Sequence, residues 1–196
     1  TTVANYLARS DLTSIIPDFI RLAETRLQRD IRTRQMLIVA TAETTGGDST
    51  VGLPTDFLEM RDIHLNTNPV FTLRYKAPNS FYETSRTTES GRPVDYTILG
   101  SEMQLAPTPD TSYTLQMLYY GKPTVLSDTN SSNVFLANYP DALLYASLAE
   151  AEPYLMNDAR IQTWATLYDR AISSINTSDQ SSEYSGQPMS MSYNVR

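Results

Sequence analysis

The chain has no cysteine and a single histidine among its 196 residues. The first absence rules out disulfides, thiol nucleophiles and cysteine-ligated metals. The second removes the histidine clusters that metal sites usually recruit. The seven glycines form no Walker loop, no dinucleotide fingerprint and no G-x-S-x-G nucleophile elbow. No apolar run approaches the roughly 20 residues of a membrane helix, so no bilayer-spanning segment is expected. The opening residues Thr1-Thr2-Val3-Ala4-Asn5 lack the basic stretch and apolar core of a secretory signal. Basic residues are outnumbered by acidic ones, 15 to 22, giving a net charge of −7. A surface this acidic binds duplex DNA poorly, because affinity for phosphates rests on Lys and Arg. Taken alone it reads as a soluble acidic surface, and it is also compatible with a passage through which DNA slides without sticking.

The charge is uneven. Residues 1–35 carry six Arg against four acidic groups, net +2, while residues 36–137 carry six basic and eleven acidic groups, net −5. Hydrophobic patterning divides the chain at similar places. Ile16, Ile20, Ala23, Leu27 and Ile31 recur at helical spacing with Phe19 beside them, and Pro17 suits a first turn. A shorter helix is expected over about 3–8. On the other face of the longer helix, the 100° step places Arg21, Arg29 and Arg32 within about 80° of arc. They make either a solvated face or a set of contacts to an acidic face of a neighbouring copy.

The middle of the chain reads as short strands. Met36–Thr44 and Thr50–Leu53 flank Gly46-Gly47-Asp48 as a hairpin, and Leu53-Pro54-Thr55-Asp56-Phe57 reads as a tight corner. Leu58–Leu65 and Val70–Tyr75 flank the turn Asn66-Thr67-Asn68-Pro69. Ser80 is a candidate cap for a helix over 81–87. Val94–Leu99, Met103–Ala106 and Ser112–Tyr120 complete an antiparallel sheet or small sandwich. The chain then returns to helix. Tyr139-Pro140-Asp141 opens a segment apolar over a wide arc, Pro153 ends or kinks it, and Asn157 or Asp158 caps a helix whose stripe is Ile161, Trp164, Tyr168, Ile172 and Ile175.

The expected fold class is therefore α+β. Helices from residues 1–35 and 138–178 form a bundle, and an antiparallel β lobe over 36–137 is inserted between them. Residues 176–187 read as a flexible Ser-rich linker, and 179–196 as an extended C-terminal tail. Within that tail Met189, Met191, Tyr193 and Val195 alternate with Ser190, Ser192, Asn194 and Arg196. This is the period-two pattern of a half-buried strand. Such a strand either returns to an edge of its own sheet or adds to the sheet of another chain.

A search for catalytic groups finds little. His64 lies between Ile63 and Leu65 in a predicted strand, where a lone histidine is structural. Glu150 and Glu152 are two apart on a helix and face different ways. Asp56 and Glu59 read as a cap and a surface charge, and the acids form no calcium loop. The thirteen tyrosines, with Tyr119, Tyr120, Tyr139 and Tyr145 near the sheet-to-helix junction, suit core and interface packing. Aromatic stacking on single-stranded nucleic acid would need more basic neighbours than Lys122. The expectation is a protein that is not an enzyme and holds no cofactor or metal.

Four segments carry a family likeness: Ile16–Arg32, Leu53-Pro54-Thr55-Asp56-Phe57, Gly91-Arg92-Pro93 before a strand, and Tyr139-Pro140-Asp141-Ala142-Leu143. In that order and spacing, over about residues 3–178, the chain resembles the head–tail adaptor (connector) proteins of podovirus-like tailed bacteriophages. The resemblance implies a virion protein of the phage neck, assembled in the host cytoplasm. It implies a homo-oligomeric ring, usually a dodecamer, docked beneath the portal protein. That ring would extend the channel for double-stranded DNA and offer a platform to tail nozzle or fibre proteins, with no membrane involved. The resemblance also implies that the C-terminal extension grips the portal or an adjacent copy. Two other readings stay open: a different neck or tail-completion protein of the same architecture, and a binding module whose β lobe recognises a ligand.

Overall fold

A computed structural model describes residues 2–8, 11–85, 89–155 and 160–183. In chain order the helices are α1 (Thr2–Leu7), α2 (Ile16–Asp30), α3 (Pro78–Thr84), α4 (Val134–Asn138), α5 (Pro140–Glu150), α6 (Glu152–Leu155) and α7 (Ile161–Glu183). The strands are β1 (Leu37–Glu43), β2 (Thr50–Gly52), β3 (Phe57–Leu65), β4 (Phe71–Thr72), β5 (Arg74–Tyr75), β6 (Asp95–Leu99), β7 (Glu102–Ala106) and β8 (Thr114–Gly121). The class is α+β. The chain divides into two compact units, residues 1–35 with 123–196 and residues 36–122. Residues 123–137, read from sequence with the β lobe, group with the helices.

In the helical unit, α2 starts with Pro17 in its first turn and buries Ile16, Phe19, Ala23, Glu24 and Leu27. Helix α5 buries Ala142, Leu143, Ala146, Ser147, Leu148 and Ala149, residues spread around most of its circumference. An element this apolar needs partners on several sides, and α2 and α7 both pack on it. One buried cluster joins Val3, Leu7, Leu12, Ile16 and Phe19 to Leu148, Ala151 and Trp164.

Polar contacts fix how these helices meet. The Arg26 guanidinium lies 4.4 Å from the centre of the Tyr168 ring, and its Nη1 donates to Glu150 at 3.2 Å. The Tyr168 hydroxyl donates to Asp30 at 2.6 Å. Burial and that bond push the Tyr168 phenol well above its ordinary range. Tyr168 thus joins α7 to α2, while Arg26 joins α2 to α5.

Helix α7 continues through residues 176–183, part of the expected linker and extended tail. The reason lies outside the local composition. The Arg34 backbone N–H donates to Asp179 at 3.1 Å, and Arg34 Nη1 donates to the Ser182 carbonyl at 3.1 Å. The Thr177 hydroxyl turns back onto the Ser173 carbonyl at 2.8 Å, so a residue that competes with helices elsewhere is satisfied inside this one.

The β unit consists of two four-stranded sheets, in the orders β1-β8-β3-β4 and β2-β7-β6-β5. Neighbouring strands are antiparallel except β5 and β6, which are parallel. The inner faces share one core that includes Ile63, Leu65, Leu115, Met117 and Tyr119 from the first sheet and Val51, Tyr96, Met103 and Leu105 from the second. The hairpin expected across Gly46-Gly47 does not form, because β1 and β2 pair with β8 and β7 in different sheets. The glycines serve another contact. The Gly47 N–H donates to the Pro109 carbonyl at 2.8 Å, and a Cβ on Gly46 would lie 3.1 Å from the Asp110 carbonyl oxygen.

The corner at Leu53–Phe57 closes as a turn, with the Phe57 N–H donating to the Pro54 carbonyl at 3.0 Å. It presents Asp56 to the Tyr119 hydroxyl at 2.9 Å. Burial and this bond push the Tyr119 phenol up to about 12. Helix α3 starts at Pro78 rather than behind a Ser80 cap, since proline suits a first turn. It packs on β6, where the Ser85 hydroxyl donates to Asp95 at 2.7 Å. Arg74 at 2.9 Å and Lys76 at 3.1 Å also meet this carboxylate. Burial alone would raise the Asp95 carboxyl, but the Ser85 and Lys76 hydrogen bonds and the two cations outweigh it and hold it below its usual range.

Thr97 lies on the same face of β6 as Asp95. It is fully buried, and its hydroxyl has no hydrogen-bond partner among the described residues. A buried hydroxyl without a partner is a standing cost. Thr97→Val removes the hydroxyl and keeps the branched shape. It is expected to stabilise the protein by about 1 kcal/mol, read as a higher denaturation midpoint at unchanged slope. A destabilised variant would show that the hydroxyl has a partner in solution.

Candidate interaction surfaces

Three features of the helical unit stand out, and two of them are open to partners. The first is the arginine face of α2. Arg21 and Arg29 lie exposed eight residues apart, hence about 80° around the helix. Among the described residues, neither makes an ion pair. Arg32 does not continue this face. The helix ends at Asp30, and Ile31 is already extended, with φ −124 and ψ 146. Arg32 Nη1 instead folds back to the Ile31 carbonyl at 2.8 Å and to the Gln28 carbonyl. A cation at a helix C-terminus satisfies free carbonyls and complements the dipole.

The second feature is Glu24, which sequence reasoning passed over. It is 2% exposed and faces no cation among the described residues. Its Oε1 accepts the Leu126 N–H at 3.1 Å and an N–H of the Asn133 side chain. Asn133 in turn caps α4 by accepting from the Leu136 N–H at 3.0 Å and donates to the Thr124 carbonyl at 3.0 Å. One carboxylate therefore pins the segment 124–133 to α2. Burial pushes its carboxyl above the ordinary value, and the Leu126 and Asn133 donors offset part of that rise. A signal for Glu24 was present in the sequence. It stands four residues after Ile20 and three before Leu27, inside the apolar stripe.

The third feature is an apolar groove of about 540 Å³ beside α5. Its walls include Val3, Ile20, Leu126, Leu136, Leu143 and Leu144. Leu136 is 40% exposed at its rim.

In the β unit the main open feature is strand β1. It forms one end of its sheet and exposes Ile38 and Val39. His64 is half-buried on β3 with Nδ1 3.6 Å from Asp62, a local pair on one strand. Among the described residues, no three His, Cys, Asp or Glu side chains are placed to hold a metal ion. No described helix is long and apolar enough to cross a membrane. Met189, Met191, Tyr193 and Val195, together with Asn157 and Asp158, lie outside the described residues.

The buried carboxylate gives a pH signature. Because the folded-state pKa of Glu24 is raised, its favourable contribution is complete below the ordinary carboxyl value. It is lost as pH rises through the folded value. In Glu24→Gln the amide oxygen can accept both donors that Oε1 now serves, and no charge is buried. The variant's stability relative to the parent is expected to increase from about pH 4 to pH 7, measured by urea denaturation across that range. A difference independent of pH would mean the carboxylate is solvated.

A comparison with curated proteins gives no match. The family model described as SU10 adaptor protein matches residues 1–192, which span both compact units. The chain therefore belongs to the SU10 adaptor protein family and is a phage structural adaptor, a virion component that meets other phage structural proteins.

Proposed function

We propose that the protein acts as one copy in a ring, of twelve subunits in the arrangement the family likeness implies, docked beneath the portal in the neck of the phage particle. The ring extends the DNA channel and carries the tail nozzle or fibre proteins. It assembles in the host cytoplasm, and its role is mechanical rather than catalytic. The observation that carries this reading is the family match over residues 1–192. Physical features support it. A net charge of −7 lets duplex DNA pass without being held. Arg21 and Arg29 are exposed cations without ion-pair partners among the described residues, and a neighbouring copy of an acidic chain supplies carboxylates to meet them.

Mixing the purified chain with portal is expected to add a ring to one face of the portal in negative-stain images. Protein that never joins the portal overturns the reading. Free monomer in the absence of portal does not, because the portal is the assembly template. Arg21→Glu with Arg29→Glu is expected to lower ring occupancy while leaving the thermal midpoint of the free chain within about 2 °C. Parental rings should loosen between about 0.1 and 1 M salt, as the screening length falls from about 10 to 3 Å. Undiminished occupancy of the double variant would remove these arginines from the interface.

A further inference from the structure

The two sheets have four edges, of very unequal length. Strands β4 and β5 contribute two residues each and β2 three, whereas β1 offers seven, Leu37–Glu43. Strand β4 covers only His64 and Leu65 of β3, so among the described residues Phe57–Asp62 also lacks a strand on that side, but two register shifts against β8 interrupt that stretch, whereas β1 is regular throughout. Short strands make poor templates for another chain. Among its seven residues β1 has no proline and no basic residue, and its only charge is Glu43 at the end.

The direction of its backbone groups can be worked out. The Thr44 N–H donates to the Tyr113 carbonyl at 3.0 Å, and the Asn66 N–H donates to the Thr114 carbonyl at 2.9 Å. Tyr113 and its alternates in β8 therefore face β1, and Thr114 and its alternates face β3. The regular register runs from Leu37 opposite Tyr120 to Glu43 opposite Thr114. Ile38, Ala40 and Ala42 thus point their N–H groups at β8, and Leu37, Val39, Thr41 and Glu43 point theirs away from the sheet. Among the described residues, no backbone group meets this outer row.

The two faces of β1 also differ. Ala40 and Ala42 border the core, opposite Met117 and Leu115. Val39, on the other face, is 58% exposed. A strand suited to this edge is seven residues long, apolar on alternate positions and polar between. The chain contains such a segment in Met189–Val195, separated from the end of α7 at Glu183 by the five residues 184–188. Its period of two fits a sheet edge. It does not fit the apolar groove beside α5, where a helical guest would need apolar residues three and four apart.

We propose that the outer edge of β1 receives the segment Met189–Val195 of a second copy as an added strand. Met189, Met191, Tyr193 and Val195 then continue the layer of Ile38, Ala40 and Ala42. The small alanines leave room for the adaptable methionines. Ser190, Ser192 and Asn194 lie on the face of Val39 and Thr41. The choice of a second copy over a return to the same chain rests on the ring reading above.

The test uses the full chain carrying Met191→Asp and Tyr193→Asp, so that its own tail does not compete, and a synthetic peptide of residues 184–196 at about 1 mM. Amide exchange at Val39 and Thr41 is expected to slow at least about tenfold on adding peptide. Peptide N-methylated on one set of alternate residues should lose binding, and peptide methylated on the other set should keep it. Thr41→Pro, which removes an outward N–H, should weaken binding about tenfold or more. If that variant fails to fold, the methylated peptides still decide. No protection at β1, protection in α4 and α5 instead, or equal effects of both methylation patterns would overturn strand addition. In the parental chain, protection of Val39 and Thr41 should rise with protein concentration. Protection independent of concentration would place the tail on its own sheet and overturn the second-copy assignment. The portal assay separates this from the ring reading: rings that form while β1 stays unprotected refute only the strand.

Discussion

The helical unit depends on burying α5. Its apolar side chains point in most directions, so one neighbour cannot cover it. The helices that do so, α2 and α7, stand far apart in the chain, with residues 36–122 between them as a separate compact unit. Burial of this kind is strong but does not dictate angle or register, since a fully buried leucine gains about 1.5–3 kcal/mol in many arrangements. Direction comes from polar groups. Arg26 spans the Tyr168 ring and Glu150, and Tyr168 reaches Asp30. Glu24 supplies a second constraint by holding the amide of Leu126 and the cap residue of α4. Its carboxylate is the expensive part of the arrangement, because among the described residues only neutral donors serve this buried group.

The helices were largely legible in the sequence, because a period of 3.6 is a local signal. The stripe from Ile16 to Leu27 and the wide apolar arc after Pro140 mark α2 and α5 directly. The end of α7 was not legible. Residues 176–183 have the composition of a linker, and their tie to Arg34, about 145 residues earlier in the chain, is not a local signal. Pairing among the strands was equally hidden. Gly46-Gly47 is a local turn signal, yet β1 finds β8 across the whole β unit, and the glycines instead admit the Pro109–Asp110 backbone. Non-local pairings of this kind leave no trace in a single sequence beyond the alternation of each strand.

The candidate surfaces divide in the same way. Arg21 and Arg29 stand where the helical step places them. Arg32 does not, because that step holds only while the helix lasts, and α2 stops at Asp30. The edge of β1 was invisible in advance for a further reason. Nothing in Leu37–Glu43 says that this strand is terminal in its sheet, since edge status belongs to the topology and not to the segment.

That topology creates a conflict that the fold resolves unevenly. A sandwich of two open sheets has four edges, and each unpaired row of N–H and C=O groups is a template for another chain. Three edge strands are only two or three residues long, and the part of β3 that β4 leaves uncovered is broken by two register shifts. The fourth is long, and its exposed Ile38 and Val39 add apolar surface to the open row. In a protein built to stay monomeric, such an edge invites uncontrolled association. In an adaptor the same property becomes useful if the edge admits one strand and is then closed. A complementary strand on a short tether raises its own effective concentration only when neighbouring copies are held in register. On the proposed strand addition, such an edge would be weakly engaged between free copies and would fill when they are arranged side by side.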